Sequence, residues 1–133
     1  MSFVATNPAV YAGQRVGSGE CVALVQMAAG APHTAQWRRG ARVRGNQSPL
    51  GTAIATFDDD GRYGNHADGR SHAAILIIEL TEGLRVWDQW AGHPVAQRTI
   101  RWHGGDGNGD PVNDGDAYHV IEVALAEIPA EPR

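Results

Sequence analysis

The chain has 133 residues, 42% of them hydrophobic, which suffices for one core and is too apolar for a disordered polymer. A formal net charge of -4 gives no electrostatic reason to bind nucleic acid, and a single cysteine excludes an internal disulfide framework. The longest apolar run, residues 73–80, is far too short to cross a bilayer, and there is no basic amphipathic helix for a membrane surface.

The first eight residues have neither a basic n-region nor a long apolar h-region, so no cleaved signal peptide is expected. Residues 1–16 are mixed, interrupted by Pro8 and Gly13. Ser18 is a natural N-cap. From there Cys21, Leu24, Val25, Ala28 and Ala29 recur at helical spacing, until Gly30 and Pro32 end the helix. Thr34 predicts a second, short helix through Arg38, stopped by Gly40, and Arg38, Arg39, Arg42 and Arg44 form a basic patch. Gly51 to Phe57 is β-branched and aromatic enough for a short strand. Residues 58–71 are too polar for core and too long for a turn.

The second half reads as strands. His72 to Leu80 is a nearly continuous apolar run, expected of a strand covered on both faces. Thr81-Glu82-Gly83 signals a hairpin turn and Leu84 to Trp90 the returning strand. Val95 to Trp102 alternates as a half-exposed strand, residues 103–116 make a glycine- and aspartate-rich loop, and Ala117 to Leu125 is a last strand. Residues 126–133 should fray. With no repeat, 1–133 is expected to be one domain of α+β class, N-terminal helices packed on an antiparallel meander.

Three residues can make a thiol site. Cys21 opens a helix, where unpaired N–H groups favour a thiolate, although a lone cysteine at helical spacing is more often small core. Of the six histidines, His72 alone lies where a polar loop meets a buried strand. Asp88 is an acid inside a strand built for burial, and such a carboxylate needs a partner. Residues 72 and 88 are nearly symmetric about the hairpin turn, so they come within cross-strand or diagonal reach. A thiolate, an imidazole and a tautomer-fixing carboxylate are the parts of a nucleophilic triad. Gln89 faces the other way and is the fallback orienting group.

A metal site is not expected, since no HExxH or CxxC spacing occurs. Residues 106–110 imitate the start of a calcium loop, but Pro111 replaces the turn glycine and Ala117 the twelfth-position glutamate. No cofactor is implied.

The stretch from Gly17 to Val25 resembles the nucleophile helix of NlpC-type and CHAP-type cysteine peptidases, which share a circularly permuted papain-like fold. Ser71 to Ile75 resembles their histidine strand and Val86 to Trp90 the next strand, with its third polar residue. With Gln36–Gly40, Gly51–Phe57 and Asn113–Ala117 added, the chain from about Tyr11 to Val123 is similar to a group that includes a family of type VI secretion amidase effectors.

The resemblance implies a peptidoglycan amidase with Cys21, His72 and Asp88 at its centre. The implied bond lies in a stem peptide or crosslink, with the meso-diaminopimelate–D-alanine crosslink as the expectation. It further implies synthesis in a bacterial cytoplasm, delivery by the type VI secretion machinery, action in the periplasm of a target cell, and a cognate immunity protein. One position departs from the pattern. CHAP-type members often place glutamine before the cysteine as an oxyanion donor, and here it is Glu20, which cannot donate when ionised. Tyr11 and Gln14 are the candidate replacements. A transglutaminase-like acyltransferase and a non-catalytic binding module stay open as alternatives.

Overall fold

The computed structural model describes residues 2–103 and 110–124. A tight turn at residues 17–20, with Gly17 and Gly19 at φ of 56° and 85°, delivers the chain into helix α1, Cys21–Ala29. Side chains other than glycine rarely adopt such angles. Gly30 ends the helix at φ 72°, its N–H bonded to the Gln26 carbonyl at 3.1 Å. Leu24 and Val25 are fully buried on the helix face, each worth about 1.5–3 kcal/mol.

Six strands follow: β1 Trp37–Arg42, β2 Ala53–Thr56, β3 Ala73–Glu79, β4 Gly83–Trp90, β5 His93–Arg101 and β6 Tyr118–Val123. They form one antiparallel sheet in the order β1-β6-β2-β3-β4-β5. Strand alternation divides the sheet into two apolar faces. Ala53, Ala55, Ala73, Ile75, Val95 and Ile121 belong with Leu24 and Val25 to one core. Ile54, Ala74, Leu76, Leu84, Val86 and Ile100 form a second core with Val43 and Tyr118. The start of β3 is thus covered on both faces as its apolar run predicts, but its end is not, with Ile78 and Glu79 exposed.

Three expectations are corrected. Among the described residues there is one α-helix, not several: Thr34–Gln36 is a single 3-10 turn, and Trp37 and Arg38 open β1. Trp37 is pulled into the core, with its indole N–H on the Pro32 carbonyl at 2.9 Å, and tertiary burial overrides a marginal local helix signal. Second, only β2 to β5 form a meander, because β6 returns across the molecule to lie between β1 and β2. Third, Glu20 is the N-cap and makes no side-chain cap bond, while the Ser18 hydroxyl accepts from the Glu20 N–H at 3.3 Å within the turn. The basic patch is partly spent on internal contacts. Arg44 grips Asp116 with bonds of 3.0 and 3.2 Å and covers the Trp102 ring. The tail expected to fray and residues 106–109 of the calcium-like loop lie outside the described residues.

Candidate active site

The β3–β4 register sets Ile75 opposite Trp87 and Leu76 opposite Val86. Continued toward the open end, it puts Asp88 opposite Ala74, with His72 two residues farther along the same face. His72 and Asp88 are therefore diagonal neighbours, and His72 Nε2 lies 2.8 Å from Asp88 Oδ2. Both are buried. The last residue of β2 pins the histidine: Thr56 Oγ1 accepts from the His72 N–H at 3.0 Å and donates to the Arg70 carbonyl at 2.9 Å.

Cys21 comes to the same point from the helix. Burial, the largest influence on its thiol, pushes its pKa up. The hydrogen bond and positive charge of His72, the Tyr63 hydroxyl and the Ala73 N–H outweigh that, so the thiol lies below its ordinary value. Burial likewise disfavours a charged His72, but Asp88 and then Cys21 outweigh it and raise the imidazole to about 9. The two shifts work the same way, each favouring transfer of the thiol proton to the imidazole, with Asp88 behind the ring. Such an array can attack a carbonyl and hand a proton to the departing group.

Asp88 holds a second cation, which sequence inspection missed: Arg98 Nε donates to the same Oδ2 at 2.6 Å. The signal was present in outline. Arg98 shares the strand phase of Ala96 and Ile100, just as Asp88 shares that of Leu84 and Val86. Opposite charges in the apolar phases of adjacent strands satisfy each other, and removing one partner of a buried pair costs roughly 3–5 kcal/mol.

Tyr63 was also missed. It sits in the polar loop, but its ring is buried against Trp37, with centroids 4.8 Å apart, and against Phe57 at 6.3 Å. Its hydroxyl lies 3.7 Å from Cys21 Sγ. Burial first, and then the neighbouring thiol, push the phenol pKa up, so it stays a donor. An isolated aromatic in a long polar stretch was its only sequence signal.

The remaining predicted residues stand elsewhere. Gln89 does not face His72. Its buried amide accepts from the Val16 N–H at 2.9 Å and donates to the Val16 and Glu20 carbonyls at 2.9 and 2.8 Å. It thereby clamps both ends of the turn that leads into Cys21. Gln14 is exposed. Its amide donates to the Val10 carbonyl at 3.0 Å and its backbone carbonyl accepts from Val95. Neither Gln14 nor Tyr11 lines the cleft in front of the thiol, since both belong to the loop docked on the start of β5. That cleft, of about 750 Å³, is walled by Ser18, Glu20, Tyr63, His66, Trp90 and Arg98, with Cys21 and His72 in its lining. Among the described residues no three His, Cys, Asp or Glu side chains form a group that could hold a metal ion.

The sequence matches the family described as domesticated amidase effector 2 over residues 1–121. It is 40% identical over 114 residues to a domesticated amidase effector 2 from Ixodes scapularis, covering 81% of this chain and 74% of that protein. Among solved structures, type 6 secretion amidase effector 2 is similar with a TM-score of 0.81 at 33% identity, over 96% of this chain and 99% of the other.

Proposed function

The chain belongs to the domesticated amidase effector 2 family, and from that premise we propose that it is a thiol-dependent amidase of bacterial peptidoglycan. The observation that carries the thiol mechanism is the half-buried Cys21 beside the buried His72–Asp88 pair at the cleft, with thiol and imidazole shifted in opposite directions. An α-helix whose first residue is the thiol, packed on an antiparallel sheet, also supports the permuted papain-like assignment, with residues 1–133 as one catalytic domain.

In this reading the Cys21 thiolate attacks a stem-peptide carbonyl. The C–N bond breaks as His72 gives its proton to the departing nitrogen, leaving a thioacyl-enzyme and a free amine. Water then adds to the thioester and passes a proton to the now neutral His72. The acid departs and the thiolate–imidazolium pair is restored. Asp88 is a positioning residue that holds the ring. The Cys21 N–H, in the first helical turn where donors lack intrahelical partners, and the Tyr63 hydroxyl are suited to the oxyanion. Tyr63 thus stands beside the Cys21 N–H in the role expected of Tyr11 or Gln14. The bond we favour is the diaminopimelate–D-alanine crosslink. Effector function further entails type VI delivery into the periplasm of a target cell and an immunity protein that occludes the cleft.

Purified sacculi incubated with the protein should release altered muropeptides, separated by chromatography and identified by mass. Cys21→Ala should release none. Identical profiles from the two proteins would overturn the reading.

A further inference from the structure

One charged side chain in the cleft takes no part in the steps above. Arg98 is held from two sides. Its Nε is on Asp88 at 2.6 Å, and its guanidinium carbon lies 5.3 Å from the centre of the Trp90 ring. Trp90 is itself braced, stacked on His93 with ring centres 4.1 Å apart and planes 29° from parallel, and edge-on to His72 at 6.3 Å. The Arg98 side chain is 28% exposed and lines the cleft with Cys21 and His72. A guanidinium carries five N–H donors in a rigid fork suited to carboxylates, and Asp88 takes one. Among the described residues no hydrogen bond engages its two terminal amino groups.

The chemistry says what that fork faces. His72 must protonate the departing nitrogen, so the amine half of the substrate lies on the His72 side of the scissile carbon. Arg98 bonds to the same oxygen of Asp88 as His72 and, among the described residues, is the one arginine lining the cleft, which makes it the cation available to that half. Resting on the amidase reading above, we infer that Arg98, braced by Trp90, is a leaving-group subsite for a carboxylate on the carbon that bears the scissile nitrogen. The favoured substrates are amides whose amine component is an α-amino acid with a free carboxylate. The D-centre of diaminopimelate is such a group, and the same centre amidated is not. Because the guanidinium is fixed before substrate arrives, little ordering cost is left to binding.

The test uses two synthetic crosslinked stem dimers, identical except for carboxylate or carboxamide at that carbon. Wild type, Arg98→Lys and Arg98→Gln are compared on both by kcat/KM. Wild type should prefer the acid by about ten- to a hundredfold, the range of charge-assisted hydrogen bonds. Arg98→Gln should slow both dimers and bring the ratio close to one, and Arg98→Lys should keep part of the preference. An arginine that only positions Asp88 would slow both alike and leave the ratio intact. Wild type cutting both dimers equally, or a wild-type ratio persisting in Arg98→Gln, would overturn the subsite and leave the amidase reading standing.

A binding readout covers a variant too slow to assay. The acid-bearing amine product should protect Cys21 of the wild type from iodoacetamide, its carboxamide should not, and Arg98→Gln should lose the difference. Equal protection by acid and carboxamide counts against the subsite. Failure of the wild type on sacculi and both dimers would sink the amidase reading instead, with the protection difference then deciding Arg98 alone.

Discussion

Two Asp–His pairs flank the cleft at the same distance and in different surroundings. His72–Asp88 and His66–Asp58 are both 2.8 Å pairs, but their side chains are 8% and 2% exposed in the first and 27% and 33% in the second. The buried pair has Cys21 on one side and Arg98 on the other, so thiol, imidazole, carboxylate and guanidinium stand in sequence around a carboxylate shut off from water. Low effective dielectric strengthens each attraction and makes each missing partner costly. Asp58 and His66 lie in the polar loop, where solvent screens the pair. Equal bond length does not make the two pairs equivalent. Burial and the neighbours on either side separate them.

The largest contrast should come from removing each imidazole. His72→Ala should lower kcat on sacculi by about 10³-fold or more, the scale for losing a base that works as part of a unit. His66→Ala, which removes a cleft wall and the solvent-screened pair with Asp58, should cost less than about tenfold. Equal losses would erase the distinction between the pairs.

A second test reads the same contrast through stability. His72 is raised from 6.5 to about 9, so its charge contributes stability that is complete below pH 6.5 and lost as pH rises through the folded value. In the wild type this is hidden. Folded thiolate plus imidazolium and unfolded thiol plus neutral imidazole carry one proton each, so the pair adds no slope between pH 6.5 and 9. In Cys21→Ala the slope should emerge over the narrower part of that window that Asp88 alone sustains, since the thiol's own share of the raise is gone, with stability against urea falling by on the order of 1 kcal/mol. Adding Asp88→Asn should flatten it, and Asp58→Asn should not. A wild-type profile already falling steeply in that window would speak against the ion pair.

The smallest effect tests the far side of the thiol. Tyr63→Phe removes a donor that helps lower the thiol pKa. The midpoint of iodoacetamide reaction against pH should rise by a fraction of a unit, and turnover should fall several-fold. A midpoint that moves down would remove Tyr63 from the site.

Local pattern carried some of this molecule well. The apolar run at 73–80, the Thr81–Gly83 turn and the symmetric placing of His72 and Asp88 depend only on alternation along one hairpin, and all are found in the fold. The segment at Trp37 misled, because a few residues of helical appearance cannot outweigh burial of an indole in the core. The slot of β6 between β1 and β2 joins strands more than sixty residues apart, and no local signal records it.

From its sequence alone, this protein had to be an α+β chain with a thiol at a helix start and an Asp–His pair on a hairpin, because these follow from neighbours in sequence and from the two-residue period of strands. Tertiary structure alone decided that Gln89 holds the turn before Cys21, that Tyr63 reaches the thiol and that Arg98 shares the Asp88 carboxylate. Each of those contacts spans separate elements. Burial sets its strength, and burial exists only once the sheet and helix have closed around it.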